Sequence, residues 1–285
     1  MAWRHKLAVL VATTLATLPA CGGQTTGDEA SAGSGHTSGI GANGTEGNAP
    51  GASGCPGSGG PTMVALPEGY CIDSTEVTRS QYQAWLAAVP SPSQQIADCA
   101  TNTSFAPEAT CMAEPAVCQG GGCGDHPQTC VDWCDAYAFC RAVGKRLCGK
   151  IGAGSVDVND YAVPTLDQWF NACSSHGQFM FPYGSTYRGA ACNGDEYWGS
   201  NYGHNTTLAV GSLPTCQSPS SSYAGVYDLS GNVWEWEDSC GPGGCSARGG
   251  SYTFYEPYLA CGGIDAVAVV TRTFGLAYVG FRCCA

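Results

Sequence analysis

The chain has few charged side chains. Charged residues make up 12% of its 285 residues, and only 11 are Lys or Arg, whereas soluble proteins are usually about 25% charged. A nucleic-acid surface requires a basic patch that neutralises phosphates, so the sequence predicts no nucleic-acid partner. The formal net charge of −12 is compatible with a soluble, exported or metal-binding protein.

Long apolar runs are also scarce. The stretch from Leu7 to Leu18 is shorter than the ~20 residues that span a bilayer. Basic residues precede it and Leu-Pro-Ala-Cys ends it, which is typical of a bacterial signal peptide with a lipobox. We therefore expect residues 1–21 to direct export and Cys21 to carry acyl chains that anchor the protein to the outer membrane or cell envelope. A plain signal peptide with an incidental Cys21 is the alternative.

Residues 22–60 contain almost no large apolar side chain and are mostly Gly, Ser, Ala, Thr and Asn. Such a segment cannot bury enough surface to offset the entropy of ordering it. The composition predicts a flexible linker between the lipid anchor and a folded domain. The remaining residues, 61–285, are enough for one domain with a substantial core.

Cysteine, by contrast, is abundant. The chain has 19 Cys, and setting Cys21 aside leaves an even number, 18, for pairing. In an oxidising compartment this predicts up to nine disulfides. Zinc binding is the rival interpretation, although none of the candidate ligands forms a Cys-x-x-Cys pair. Those candidates are Cys118, Cys123, His126, Cys130 and Cys134.

Three helices are indicated by capping residues and by apolar residues at helical spacing. Thr78 begins the first as part of a capping box, and Pro90 follows its end. Asp132 begins the second, which ends before Gly144. Thr165 begins the third. Elsewhere the chain is rich in Gly, Pro, Tyr and Ser, which predicts short strands and long loops in an α+β domain.

Several sequence blocks follow one another in a characteristic order. The principal blocks are Ile72–Thr78, Val131–Leu147, Pro164–Trp169, Val226–Trp236, Arg248–Tyr252 and Gly280–Cys283. Together they resemble the formylglycine-generating enzyme family, also called sulfatase-modifying factors. The resemblance covers Pro61 to Cys283 and implies a mixed α+β fold, distantly similar to C-type lectins, with little regular secondary structure.

The family's reaction is the O₂-dependent oxidation of a protein cysteine to formylglycine. It uses a Cys-x-x-x-x-Cys pair that binds Cu(I), a soft metal suited to thiolates. The resemblance places these two positions at Phe254 and Leu259, so we expect neither the catalytic pair nor a copper cofactor. The nearest cysteine, Cys261, is expected to form a disulfide with Cys245.

At other positions of the family's substrate cleft, this chain has the residues that the family has. Trp234 and Ser251 correspond to cleft-lining residues, and Tyr255 and Tyr258 are expected at the rim. Two functions remain open. One is a non-catalytic binding module for a peptide, glycan or envelope protein. The other is an oxidase of the wider family that uses Tyr255, Glu256 or Tyr258 as its reactive group.

The family also binds calcium on the loop before the Trp-Glu pair. The resemblance carries this site to Asp228, Gly231, Val233 and Glu235, and calcium favours such hard oxygen ligands. A Gly-Asn turn with a hydrogen-bonded Glu235 is the alternative. A second family calcium site would begin at Asn193-Gly194, where no acidic partner is visible near residues 202–205.

Overall fold

The computed structural model describes residues 54–199 and 205–285. The predicted signal peptide, Cys21 and most of the predicted linker lie outside the described residues. The α-helices are α1 (Arg79–Ala87), α2 (Ala109–Met112), α3 (Trp133–Ala142), α4 (Gln168–Ser174) and α5 (Glu256–Leu259). The strands are β1 (Met63–Ala65), β2 (Cys71–Asp73), β3 (Arg146–Leu147), β4 (Trp234–Gly241), β5 (Gly244–Arg248), β6 (Val267–Val270), β7 (Val279–Phe281) and β8 (Cys283–Cys284). Short 3₁₀ turns lie at Pro92–Gln94, Ala97–Cys99, Asp195–Trp198 and Ile264–Ala266.

The strands form two four-stranded sheets. The first has the order β1-β2-β8-β3 and is antiparallel. The second has the order β6-β5-β4-β7, in which β4 and β7 are parallel. Because β7 and β8 are consecutive, the C-terminal segment joins the two sheets, and Arg282 is the residue between them. The structure thus confirms an α+β fold with short strands and few helices.

Two of the helix starts are as predicted. Thr78 caps α1 through a capping box, and Asp132 caps α3 in the same way. α3 ends at Ala142, and Gly144 takes the left-handed conformation at φ 75°, which glycine adopts without steric cost. These signals are local, so the sequence alone is sufficient to place them.

The predicted start of the third helix is wrong. α4 begins at Gln168, and its cap is Asp167 rather than Thr165. The Asp167 carboxylate accepts a hydrogen bond from the Phe170 N–H at 2.8 Å and pairs with the buried Arg248 guanidinium at 2.9 Å. A charged partner from β5 therefore fixes this cap, and local sequence does not contain that information.

An aromatic core lies between α1, α3 and β7. Tyr82 stacks on Phe139, and Phe139 meets Phe281 edge-on, each pair with ring centres 5.5 Å apart. All three rings are buried. The indole N–H of Trp133 donates to the Glu237 carbonyl at 2.8 Å and ties α3 to β4. The helices thereby hold β4, which begins at Trp234, in a fixed position.

Nine disulfides crosslink the described residues, as the cysteine count predicted. They exclude the zinc interpretation for this structure, because all four of its cysteines are paired in disulfides. The expected Cys245–Cys261 pair is also wrong, since these cysteines have other partners. The pairs are Cys55–Cys71, Cys99–Cys134, Cys111–Cys130, Cys118–Cys123, Cys140–Cys283, Cys148–Cys284, Cys173–Cys261, Cys192–Cys216 and Cys240–Cys245.

Residues 54–60, which the sequence assigned to the linker, pack on the domain. Cys55 is crosslinked to Cys71, and the Ser58 N–H donates to the Val143 carbonyl at 3.2 Å. The disulfide holds this Gly-rich segment where its composition alone would not. The disulfides as a whole indicate an oxidising compartment and hence an exported protein. Within the part of the chain that the structure describes, no helix is both long and apolar enough to cross a membrane.

Candidate functional site

The loop before β4 has an unusual backbone. Asp228, Gly231 and Asn232 have φ angles of 62°, 75° and 56°. Residues other than glycine rarely adopt this left-handed backbone conformation. At Gly231 a side chain would collide with the carbonyl of Asn193. That carbonyl accepts a hydrogen bond from the Asn232 N–H at 2.8 Å. The turn therefore holds the start of β4 against the Asn193 segment.

Arg282 is the cation of the site and is completely buried. Its Nε and Nη2 donate to the Glu235 carboxylate at 2.6 and 2.7 Å. The remaining donors reach the carbonyls of Asp73 and Tyr227 at 3.0 and 2.7 Å. Glu235 also accepts from the Trp169 indole at 2.9 Å. Its carboxylate is therefore fully hydrogen-bonded and neutralised within the protein.

Two further carboxylates, Glu76 and Asp228, lie beside this ion pair. Glu76 is fully buried, and its Oε1 accepts from Asn232 Nδ2 at 2.8 Å, whereas its Oε2 has no hydrogen-bond partner. Burial and the Asp228 charge raise the pKa of Glu76. Burial likewise raises the pKa of Asp228 to about 6.

The predicted calcium ligands fit only in part. Asp228, with the carbonyls of Gly231 and Val233, offers the hard oxygens that calcium takes. Glu235 is occupied by Arg282, so the unpartnered oxygen of Glu76 is the better second carboxylate. Across residues 54–199 and 205–285, no group of three or more His, Cys, Asp or Glu is arranged to hold a metal. A bound cation would therefore depend on backbone carbonyls.

The second predicted calcium position is a hydrogen-bond centre. The Asn193 amide donates to Asn232 Oδ1 at 3.0 Å and to the Thr206 carbonyl at 3.1 Å, and it accepts from the Trp198 indole at 2.8 Å. Gly194 packs against Leu259. These bonds orient Asn232 toward Glu76. Calcium at Asn193 and Gly194 stays a prediction.

An aromatic cluster surrounds Phe254, one of the two positions at which the resemblance predicted a replaced cysteine. Its central ring is Phe254, whose centre is 5.3 Å from Trp234, 5.0 Å from Tyr258 and 6.4 Å from Tyr278. Tyr255 contacts Tyr258 at 5.4 Å and is 52% exposed. The predicted Trp234, Tyr255 and Tyr258 thus come together, with Trp234 buried beneath and Tyr255 facing solvent.

Ser251 and Leu259 lie in the interior rather than at this surface. Ser251 is fully buried, and its hydroxyl is 3.1 Å from the Thr253 hydroxyl. Leu259 is 2% exposed and packs against Gly250. All cysteines in the part of the chain that the structure describes are in disulfides. No free thiol among the described residues could therefore take the place of the cysteines expected at positions 254 and 259.

Tyr258 is poorly suited to a reactive role. Partial burial, followed by the influence of Tyr255 and Asp265, raises the pKa of its phenol. A tyrosine used as a base or nucleophile needs the opposite shift, because its phenolate must be accessible near neutral pH. The ring contacts of Tyr258 with Phe254 and Tyr255 fit a packing and contact role, and the raised pKa agrees with it.

Some contributors to the site were not predicted as site residues. Tyr278 joins the aromatic cluster, and Glu76 and Arg282 join the buried carboxylates Asp228 and Glu235. Glu76 lies within the Ile72–Thr78 block, directly before the apolar Val77, and a charge next to an apolar residue in that block was the available signal. Its partner Asp228 is 152 residues further along the sequence, so no local pattern connects the two.

The fold and the site define a disulfide-rich α+β domain built around a buried Arg–carboxylate centre beside an aromatic cluster. The chain belongs to the sulfatase-modifying factor enzyme 1-like domain family, which matches residues 36–285. This confirms the resemblance noted in the sequence.

Among similar proteins, the formylglycine-generating enzyme of Mus musculus is 27% identical over 182 residues, covering 56% of this chain and 44% of that protein. The formylglycine-generating enzyme of Streptomyces coelicolor is 29% identical over 189 residues, covering 56% and 52%. The chain thus spans about half the length of these relatives. The crystal structure of CarF has a TM-score of 0.49 and 20% identity, covering 81% of this chain and 96% of that chain.

Proposed function

We propose that the protein is a non-catalytic binding module of the formylglycine-generating enzyme family. The observation that carries the proposal is the aromatic cluster centred on Phe254, at a position where the family has a copper-binding cysteine. Leu259 at the second position is buried, and the described cysteines are all crosslinked. The chain therefore retains the scaffold around the reaction site and lacks the soft ligands that hold Cu(I).

The ligand of this module would bind at the exposed side of the cluster. Tyr255 and Tyr258 present aromatic faces with polar hydroxyl groups, the kind of surface enriched at protein interfaces. A peptide, a glycan or an envelope protein could provide the complementary surface. The lipobox at Cys21 and the linker after it would keep the domain tethered to the cell envelope, where the disulfides remain oxidised.

A Cu(I) titration tests the absence of the copper site. The native protein is titrated against a colorimetric Cu(I) chelator under nitrogen, with a copper-binding formylglycine-generating enzyme as the positive control. We expect the native protein to remove no copper from the chelator. A stoichiometric transfer of one Cu(I) to the oxidised, folded protein would refute the proposal.

Calcium is proposed as a structural brace of the loop before β4. Its support is the unpartnered Oε2 of Glu76, which is buried beside Asp228 and would otherwise be costly. Asp228, the Gly231 and Val233 carbonyls and Glu76 would hold the ion. At 100-fold excess over its Kd, calcium binding should raise the melting temperature by roughly 5–10 °C.

Thermal unfolding with calcium and with chelator tests this brace. Glu76→Gln should abolish the calcium-dependent shift, whereas Asp157→Asn, at an exposed acid far along the sequence, should leave it unchanged. Equal melting temperatures of the unmodified protein under both conditions would exclude the brace. They would leave the non-catalytic assignment intact, because that assignment depends on the copper titration.

A further inference from the structure

A cavity of about 350 Å³ lies between α1, the loop after it and α3. We define this α1–α3 groove by Trp85, Ile96, Phe105, Tyr137 and Arg141. None of its lining residues belongs to the aromatic cluster or to the proposed calcium loop. Its volume is at the lower end of the usual range for ligand pockets, about 300–1,000 Å³, so it suits a small molecule or one side chain.

The walls of the groove are fixed by crosslinks and buried hydrogen bonds. The Cys99–Cys134 disulfide ties the loop after α1 to α3. The Tyr82 hydroxyl donates to the Phe105 carbonyl at 2.8 Å, and the Asn102 amide donates to Asp135 at 2.7 Å. A pocket that is already formed loses little entropy when a ligand binds. This rigidity distinguishes the groove from a transient surface depression.

The floor of the groove is apolar and aromatic. The rings of Trp85 and Phe105 lie 5.0 Å apart, and Tyr137 is stacked on Trp133 at 4.9 Å. At one end, the turn leading to Pro90 requires Val89 to adopt φ 53° while 84% exposed. A β-branched residue is strained in that conformation. The strained residue directly precedes Pro90, which lines this end of the groove.

The only charged side chain lining the groove is Arg141. Its guanidinium carbon is 5.8 Å from the centre of the Tyr137 ring, and Nη1 is 3.5 Å from the Tyr137 hydroxyl. Within residues 54–199 and 205–285, Arg141 has no carboxylate partner, although the chain has 23 acidic and 11 basic residues. Lys145, Arg248, Arg272 and Arg282 form ion pairs. Other described cations besides Arg141 also have none, so Arg141 is distinguished by its position in the groove.

We propose that the α1–α3 groove binds a small apolar group that carries a single carboxylate. The apolar part would pack against Trp85 and Tyr137, and the carboxylate would pair with Arg141. A guanidinium fork matches the planar geometry of a carboxylate with two parallel hydrogen bonds. The net charge of −12 disfavours a ligand with several negative charges. The carboxylate could belong to a free acid or to the C-terminal residue of a peptide.

Calorimetry with two matched probes tests the proposal. N-acetyl-phenylalanine carries the carboxylate, and N-acetyl-phenylalaninamide replaces it with a neutral amide of the same shape. We expect the acid to bind several-fold more tightly, because only the acid can pair with the guanidinium of Arg141, which is exposed to solvent. Equal affinities, or no binding of either probe, would overturn the proposal.

Variants locate the binding. Arg141→Gln should remove the preference for the acid, and Ala138→Phe, which fills the groove, should abolish binding of both probes. Lys150→Gln removes an exposed cation outside the groove and should change neither affinity. An unchanged preference in Arg141→Gln would overturn the assignment. A pentapeptide ending in free phenylalanine distinguishes the two sources: tighter binding than the free acid supports a peptide C-terminus, and weaker binding supports a small acid.

Discussion

Replacement of Arg282 by Met is the sharpest perturbation of the fold. Met approximates the length of the arginine stem but removes the donors that reach Glu235, Asp73 and Tyr227. The Glu235 carboxylate would keep only its bond from Trp169 and would remain buried with its charge unpaired. Arg282→Met therefore converts a neutralised pair into an isolated buried anion, beside Glu76 and Asp228.

The expected loss of stability follows from that geometry. Breaking a buried ion pair by removing one partner costs about 3–5 kcal/mol. For a domain of this size, 1 kcal/mol shifts the melting temperature by roughly 2–4 °C. We therefore expect the melting temperature to fall by roughly 6–20 °C, with the disulfides intact.

Circular dichroism melts under non-reducing conditions measure this loss. Arg141→Gln, an exposed guanidinium without an ion-pair partner, serves as the control and should shift the melting temperature by only about 1–2 °C. The double variant Arg282→Met with Glu235→Gln should recover part of the loss, because no unpaired charge remains. If Arg282→Met shifts the melting temperature no more than Arg141→Gln does, the buried Arg282–Glu235 ion pair does not have the stabilising role assigned to it.

Two further predictions concern stability. Burial, followed by repulsion from Asp132, raises the pKa of Asp135 from 3.8 to about 8. Between about pH 4 and 8 the folded state therefore keeps a proton that the unfolded chain has lost. The free energy of unfolding should fall as the pH rises through that window. Asp135→Asn should flatten this slope in urea titrations, and an unchanged slope would contradict the raised pKa of Asp135. Cys140–Cys283 and Cys148–Cys284 close nearly the same loop, with sequence separations of 143 and 136, so replacing all four cysteines by Ala should cost up to about 5 kcal/mol through loop entropy. A loss below about 1 kcal/mol would show that the hydrophobic core alone closes this loop.

Local sequence signals were sufficient for the caps at Thr78 and Asp132, because each capping box is contained within four residues. They failed at α4, where the cap Asp167 is held by Arg248 from the distant strand β5. The sequence also identified the family, and the assignment of its two cysteine positions to Phe254 and Leu259 stays a prediction. It could not provide the cysteine pairing, since nine disulfides admit very many combinations.

The acidic centre shows the same limit. Asp228 and Glu235 were predicted from the loop that carries both, but their partners Glu76 and Arg282 come from distant segments. Those partners determine which carboxylate is neutralised and which remains available for a cation. Likewise, the aromatic cluster depends on Tyr278 approaching Phe254, which only the folded chain brings together. Long-range contacts thus determine the chemistry of a site that short motifs can only locate.

The central claim is that the chain keeps the family's scaffold without its reaction. The most direct test incubates the folded protein with Cu(I), O₂ and a peptide containing Cys-x-Pro-x-Arg, and follows the peptide by mass spectrometry. A formylglycine-generating enzyme is the positive control, and buffer with copper is the background. The account predicts loss of the peptide thiol at the background rate and no formylglycine product. Enzyme-dependent, multiple-turnover formation of formylglycine would contradict it.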